Sequence, residues 1–437
     1  MNVEQEVEFL KGLSEEIVST LAVCCANRPK PVNIRLVEGR EKIDPIHDPD
    51  PFSRHVSFLL EWEAKKPLVM NFPLLCRTHP KLMMDKVMAE VGALVWARRN
   101  TQLPVPAVRA YDPVGTQRWN ATRRPFILQE HMRGKHITND DWEQMTNDQK
   151  YKVVGAVAKV VAELAIHPFD KIGSLYPETV TVSQPNIIIG PLISYAVTRY
   201  SIIHHSNPNS SQLVQMFRAS GSPYTSALDF MLQAANKHLM HRAMASPLPT
   251  DQYLELWIYR SLIPGLILDE YNHGPFVLLH GHLDRHACLF NEKYQLTGVI
   301  DWEFTHTVPL QIAAARPPFL LLLPIPRTDQ FFQYLGWHYV SRLAYYYDKL
   351  SKRPTIRNIV PPVVSHLSNE GYILANAGVV VLKGEDDMSE PLWHTIFTPT
   401  FGQIDRQSFL NLFRNAPAVI AEHKRTYEYI MGLQVQV

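Results

Sequence analysis

Cysteine is scarce in this chain of 437 residues: Cys24, Cys25, Cys76 and Cys288 are the four, two adjacent and the others far apart. That spacing gives neither a disulfide framework nor a metal-ligand pattern, and it fits a reducing, cytoplasmic setting. Net charge is equally slight, formally +1. Lys and Arg are scattered rather than clustered, so no nucleic-acid partner is expected. Long apolar runs are missing too. The densest, Phe319 to Leu323, is too short to span a bilayer, and no membrane partner is expected. The opening MNVEQEVEFL carries acidic residues early and reads as neither a secretory signal nor a transit peptide. No internal repeat is present. What the chain does have is 46% hydrophobic residues, enough for a large core in two or three units. It also has 33 prolines, clustered in connections such as residues 317–326, which argue for long ordered loops.

Periodicity orders the rest. Leu10, Leu13, Ile17 and Leu21 fall on one face of a helical lead-in over residues 1–28, followed by a Pro- and charge-rich loop over 29–50. Val56 to Trp62 and Pro67 to Phe72 read as strands around a turn at Glu63–Lys66. Pro80 to Asn100 reads as a helix, with Pro80 in the first turn and Val87, Val91, Leu94 and Val95 as its stripe. A strand follows within 103–112 and another at Phe126–Glu130, ending at a loop over 131–134. Beyond it the pattern is mostly helical. Asp148 to Ile166 is amphipathic, Asp251 to Tyr271 is bent at Pro264, and aromatic-rich helices run over 328–351 and 405–432. A strand pair, 287–290 and 295–300, surrounds a polar turn.

Residues 275–304 read PFVLLHGHLDRHACLFNEKYQLTGVIDWEF. With AEVGAL (89–94), LPVPAVRAYD (103–112), PFILQEHMRG (125–134), FDKIGSLYP (169–177) and GSPYTSALDFM (221–231), they occur in the order typical of one family. Over about residues 50–325 the chain resembles the aminoglycoside phosphotransferase/choline kinase superfamily, especially its large fungal branch. The resemblance implies an α+β, protein-kinase-like, two-lobed fold. Residues 1–50 would be a lead-in and 51–130 a small β-sheet-plus-helix lobe. Residues 131–437 would form a mainly helical lobe carrying the catalytic loop at 280–303.

The family's chemistry, ATP- and Mg-dependent phosphoryl transfer, rests on positioning and charge neutralisation. The family reads H-G-D-x-x-x-x-N and then I-D-W-E. Here Ile300, Asp301, Trp302 and Glu303 keep the second part, while His282 stands at the catalytic Asp and Ala287 at the metal-binding Asn. A slipped register would offer Asp284 as the carboxylate, but it would leave Leu289 at the Asn place. Glu90 matches the helix Glu, whereas Asn71 stands where the small lobe's basic residue is expected and has no charge to offer. The stretch DPDPFSRHV (48–56), at the place of the phosphate-cradling loop, contains no glycine.

Three functions stay open on these residues. The first is a repurposed protein that binds a small organic, natural-product-like ligand of secondary metabolism. In it His282, Asp301 and Asp284 would do acid-base chemistry, His280, His286, Glu303 and Glu130 would contact the ligand, and no cofactor would be required. The second is a non-catalytic pseudokinase that binds a ligand or partner. The third is a surviving small-molecule O-phosphotransferase using ATP and Mg, with Asp301 its metal ligand. A His/Asp metal cluster in the loop is disfavoured, because alternate loop residues point in different directions.

Overall fold

The computed structural model describes residues 3–25, 27–37, 55–179, 185–194, 223–244, 246–313, 330–351, 393, 402 and 404–435. The proline-rich connection at 317–326, the apolar run at 319–323 and residues 48–54 lie outside them.

The small lobe is a five-stranded sheet in the order β1-β2-β3-β5-β4, formed by β1 (Asn33–Leu36), β2 (His55–Glu61), β3 (Leu68–Pro73), β4 (Val108–Asp112) and β5 (Phe126–Glu130). All its pairings are antiparallel. Strand side chains alternate between faces, and that alternation decides what each face meets. Val56, Phe58, Leu60, Met70, Phe72 and Leu128 pack with Leu10, Leu13, Ile17 and Leu21 of helices α1 (Val3–Lys11) and α2 (Ser14–Cys24). His55, Ser57 and Asn71 fall on the opposite face, because Ser57 pairs with Asn71 and His55 lies two residues before it. Glu6 fixes the docking of α1. Its buried carboxylate accepts the amides of Leu75 (2.9 Å) and Cys76 (2.9 Å) at the start of a 3-10 turn.

Helix α3 (Pro80–Asn100) begins where expected, since Pro80 opens it and the His79 ring accepts the Lys81 amide at 3.2 Å. Arg98 and Arg99 in its last turn suit the negative end of its dipole. Gly92 lets α3 approach the large lobe. A Cβ there would lie 2.1 Å from the carbonyl oxygen of Leu175.

The large lobe is built around α5 (Asn147–Ala165), opened by a Thr146–Gln149 capping box; α4 (Asn139–Gln144) precedes it with a second box, Thr138–Asp141. Of the helices α6 (Ala227–Met244), α7 (Asp251–Leu266), α8 (Gln330–Ser351), α9 (Arg406–Arg414) and α10 (Pro417–Val435), α8 packs on α5, α6 packs on α7 and α10, and α9 packs on α7 and α10. Two expected helices are shorter than their patterns. The one expected to reach Tyr271 ends at Leu266, just past Pro264, and the one expected over 405–432 breaks at Asn415 and restarts at Pro417.

Two elements differ in kind from the sequence reading. The loop expected over 29–50 contains β1, a four-residue edge strand in which Ile34 and Leu36 pack half-buried on the core and alternate with exposed Asn33 and Arg35, an alternation too short to stand out beside the prolines and charges of that segment. The large lobe also holds a four-stranded antiparallel sheet in the order β7-β6-β11-β8, made of β6 (Ser174–Pro177), β7 (Ile187–Gly190), β8 (Phe276–Leu279) and β11 (His306–Pro309). Its strands have four residues each, at the lower limit for reading alternation, and runs such as FVLL and IIIG show none. The expected hairpin is present as β9 (Cys288–Phe290) and β10 (Leu296–Val299).

Candidate functional site

Strands β8 and β11 pair with His306 opposite Leu279, which brings the two segments leaving them side by side. One is the loop from His280 to Ala287; the other is the turn Asp301–Thr305. They touch at Gly281, where a Cβ would lie 2.6 Å from the carbonyl oxygens of Glu303 and Phe304. Asp301 and Phe304 hold φ of 63° and 58°, a left-handed backbone uncommon outside glycine.

His280 fastens the loop to the turn. Its Nδ1 accepts the His282 amide at 3.2 Å, so its Nε2 carries the proton and donates to the Ile300 carbonyl at 3.1 Å. Burial pushes its pKa down to about 4, against the pull of Asp301 and with a further push from His282. It is therefore a neutral brace, packed edge-on against Trp302 at 4.8 Å. That pull and push place both Asp301 and His282 in its electrostatic neighbourhood. His282 is half-buried, with its ring 5.9 Å from that of Phe304.

Across the cleft, α3 supplies a cation that the sequence reading missed. Lys86 pairs with Glu303 at 2.9 Å, and the two side chains are 2% and 3% exposed. Its ammonium also lies 5.5 Å from the Phe304 ring centroid. One turn along, Glu90 is buried as well. Burial, then repulsion from Glu303, pushes its carboxyl up to about 8; Lys86 opposes the rise and Asp301 adds to it. From β2, His55 joins this group. One ring nitrogen and one oxygen each of Asp301 and Glu303 lie within 4.8 Å of one another, a mixed set that could hold a divalent cation.

The other residues selected from sequence are placed differently. The Asn71 Oδ1 accepts the Ser57 hydroxyl at 2.7 Å. Ala287 is buried, and its carbonyl accepts the Ile300 amide at 2.9 Å. Asp284 serves its own turn, its Oδ1 accepting the amides of His286 (2.8 Å) and Ala287 (3.1 Å). The His286 ring lies 5.0 Å from that of His136. Glu130, at the lobe boundary, is engaged by Arg98, Arg109 and the Ala107 amide. The structure thus gathers His280, His282, Asp301, Glu303 and Glu90 around the turn. Asp284 and Glu130 have their carboxylates committed to other work.

Lys86 carried a weak signal in the sequence. A Lys four residues before a Glu on a helix usually marks a solvated face, whereas this one is buried and paired with Glu303. His55 lies within the glycine-free stretch 48–56 and belongs to no motif of the catalytic loop.

A sheet-and-helix lobe, a boundary strand ending at Glu130 and an I-D-W-E turn facing a buried helix Glu define a kinase-like fold. A model of the phosphotransferase enzyme family matches residues 53–311, more than half of the chain, and the chain belongs to that family. Among curated proteins it is similar to "Altered inheritance of mitochondria protein 9, mitochondrial" of Kluyveromyces lactis, 27% identical over 193 residues, which are 40% of this chain and 30% of that protein. The protein of the same name from Lodderomyces elongisporus is 28% identical over 142 residues, 31% of this chain and 21% of its own length. The matched stretch thus spans less than a third of either relative. Among solved structures, the macrolide 2'-phosphotransferase of Brachybacterium faecium aligns over 92% of this chain and 99% of its own, at 12% identity and a TM-score of 0.39.

These names overturn the cytoplasmic setting read from the cysteines and the opening residues, since the relatives are named as mitochondrial proteins. Sparse thiols report a reducing environment, not which compartment supplies it.

Proposed function

We propose that this chain is a kinase-fold protein whose interlobe cleft has left ATP-dependent phosphoryl transfer and holds a small organic ligand. The Lys86–Glu303 pair carries this reading. Transfer of a phosphoryl group needs a cation turned toward the phosphates. Lys86 is instead closed off from solvent against a carboxylate. Nothing at position 71 replaces it, since the Asn71 amide is bonded to Ser57.

Magnesium takes oxygen ligands in a near-octahedral array. Ala287 offers a methyl group where a donor is needed, and Glu303 is already engaged by Lys86. His55, Asp301 and Glu303 form a mixed nitrogen and oxygen set better suited to a borderline metal than to magnesium. The residues present therefore do not fit Mg·ATP. Thermal-shift titration tests this reading: Mg·ATP should leave the melting temperature unchanged. A magnesium-dependent rise, with a labelled γ-phosphate appearing on an alcohol, would overturn it.

One observation supports a catalytic version. His282 is half-buried, and its charge and that of Asp301 both bear on the His280 ring, so a base and a carboxylate lie near the same brace. Metabolite profiles of strains carrying His282→Ala against wild type separate the versions: a lost product supports proton-transfer chemistry, and an unchanged profile leaves binding alone. The compartment we propose is mitochondrial, supported by the names of the relatives. Fractionation of the native protein checks this, and recovery solely with cytosolic markers would refute it.

A further inference from the structure

Three ligand-type side chains meet where the lobes face each other, and they arrive from different elements. His55 opens β2 opposite Pro73 of β3, on the sheet face away from α1 and α2. Asp301 and Glu303 stand two residues apart in the turn that follows β10, on the large lobe. Both carboxylates are at least nine-tenths buried, and His55 is half-buried. One ring nitrogen and one oxygen of each carboxylate lie within 4.8 Å of one another. Carboxylates held out of water in this way need positive charge beside them. Lys86 brings one such charge, 2.9 Å from Glu303. A divalent cation set between the imidazole and the two carboxylates would add to it.

We propose that His55, Asp301 and Glu303 form a zinc site that joins the two lobes. The proposal rests on the reading that this cleft does not hold Mg·ATP. One imidazole nitrogen and two carboxylate oxygens are ligands that zinc takes, and three protein ligands leave a fourth position for water or for an oxygen donor of the cleft's ligand. Zinc bonds of about 2.0–2.2 Å set tetrahedral donors about 3.3 Å apart. Donors already within 4.8 Å reach that spacing by side-chain adjustment, with no movement of whole lobes. Glu303 serves both cations, because a carboxylate has two oxygens. Such sharing suits a metal that needs three protein donors better than one that needs an octahedron of oxygens. Lys86 then acts from outside the coordination: its ammonium orients the Glu303 carboxylate, as outer partners of metal ligands do, and itself lies 5.5 Å from the Phe304 ring centroid. Since the nitrogen belongs to the sheet and the oxygens to the turn, the bound ion sets how far β2 stands from the large lobe.

The test uses the full-length, tag-free protein stripped of metal with EDTA, and zinc chloride as the probe in isothermal titration calorimetry. Wild type should bind a single zinc ion per chain. His55→Ala should weaken binding at least ~100-fold, since loss of a direct ligand exceeds loss of an outer partner. His55 is half-buried at the start of its strand, so alanine is accommodated there. His273→Ala, at an exposed histidine outside the site, should bind as wild type does. Cobalt(II) chloride gives a second readout: a four-coordinate site should absorb strongly in the visible, and His55→Ala should not. Zinc should also slow hydrogen exchange in β2 and in residues 301–305 together, in wild type and not in His55→Ala. Absence of zinc binding, affinity that survives His55→Ala, or a weak six-coordinate cobalt spectrum would each overturn the site. None of these results touches the reading of a cleft without ATP, which the separate Mg·ATP titration decides.

Discussion

Glu90→Gln should change how the stability of this protein depends on pH more than any other conservative substitution in the cleft. The Glu90 carboxyl is pushed from 4.5 to about 8, first by burial and then by the neighbouring Glu303. In the unfolded chain it ionises near 4.5, while in the folded protein it keeps its proton to about 8. Between those limits the folded state binds the extra proton, so stability falls as pH rises. Below the window both states are protonated and the cost vanishes; above it both are ionised and the cost is complete. At 1.36 kcal/mol for each pKa unit, the full span is worth on the order of 4–5 kcal/mol. Glutamine keeps the shape and removes the titration. Urea unfolding at about pH 5 and about pH 8, fitted for stability in water, reads it out. The variant should match wild type within ~1 kcal/mol at the lower pH and exceed it by several kcal/mol at the higher. Curves that run parallel across that range would mean that Glu90 is ionised in the fold, and the buried-carboxyl argument would fail.

The remaining predictions concern contacts that hold the site together. Lys86→Met leaves Glu303 buried without its cation and should cost ~3–5 kcal/mol by urea unfolding, and the double variant Lys86→Met/Glu303→Leu should regain most of it. A double variant no more stable than the single one would show that the stranded carboxylate is not what destabilises Lys86→Met. Glu6→Gln removes the charge from an acceptor of two amides and should lower stability by ~1–3 kcal/mol, with faster hydrogen exchange at Leu75 and Cys76. Gly281→Ala drives a methyl into the Glu303–Phe304 backbone and should destabilise by ~1–3 kcal/mol. Unchanged stability there would refute the contact between loop and turn.

Much of the fold was legible because its signals are local. Helix α3 has the expected bounds, since Pro80 opens it and an apolar stripe runs through it. The β2–β3 and β9–β10 pairs join strands close in sequence, as their alternating side chains require. The four-stranded sheet was not legible, because β11 pairs with β6 and β8 across long separations and each strand is short. The site divides in the same way. Asp301, Glu303 and His280 announce themselves in one motif, and the structure brings them together. Lys86 and His55 reach the turn only through tertiary packing, and a single stretch of sequence holds no record of that. Asp284 was a catalytic candidate only through a slipped H-x-D register that spacing disfavours, and its carboxylate caps a turn, a role set by backbone conformation.

The absence of a side chain at Gly92 also bears on motion. With no side chain at Gly92, α3 rests directly on the β6 backbone of the large lobe. When the molecule breathes, the sheet should swing while the helix stays behind, so the gap would open along His55, between strand and helix. Whatever enters would therefore meet the imidazole first, and the sealed lysine only after the fold has yielded.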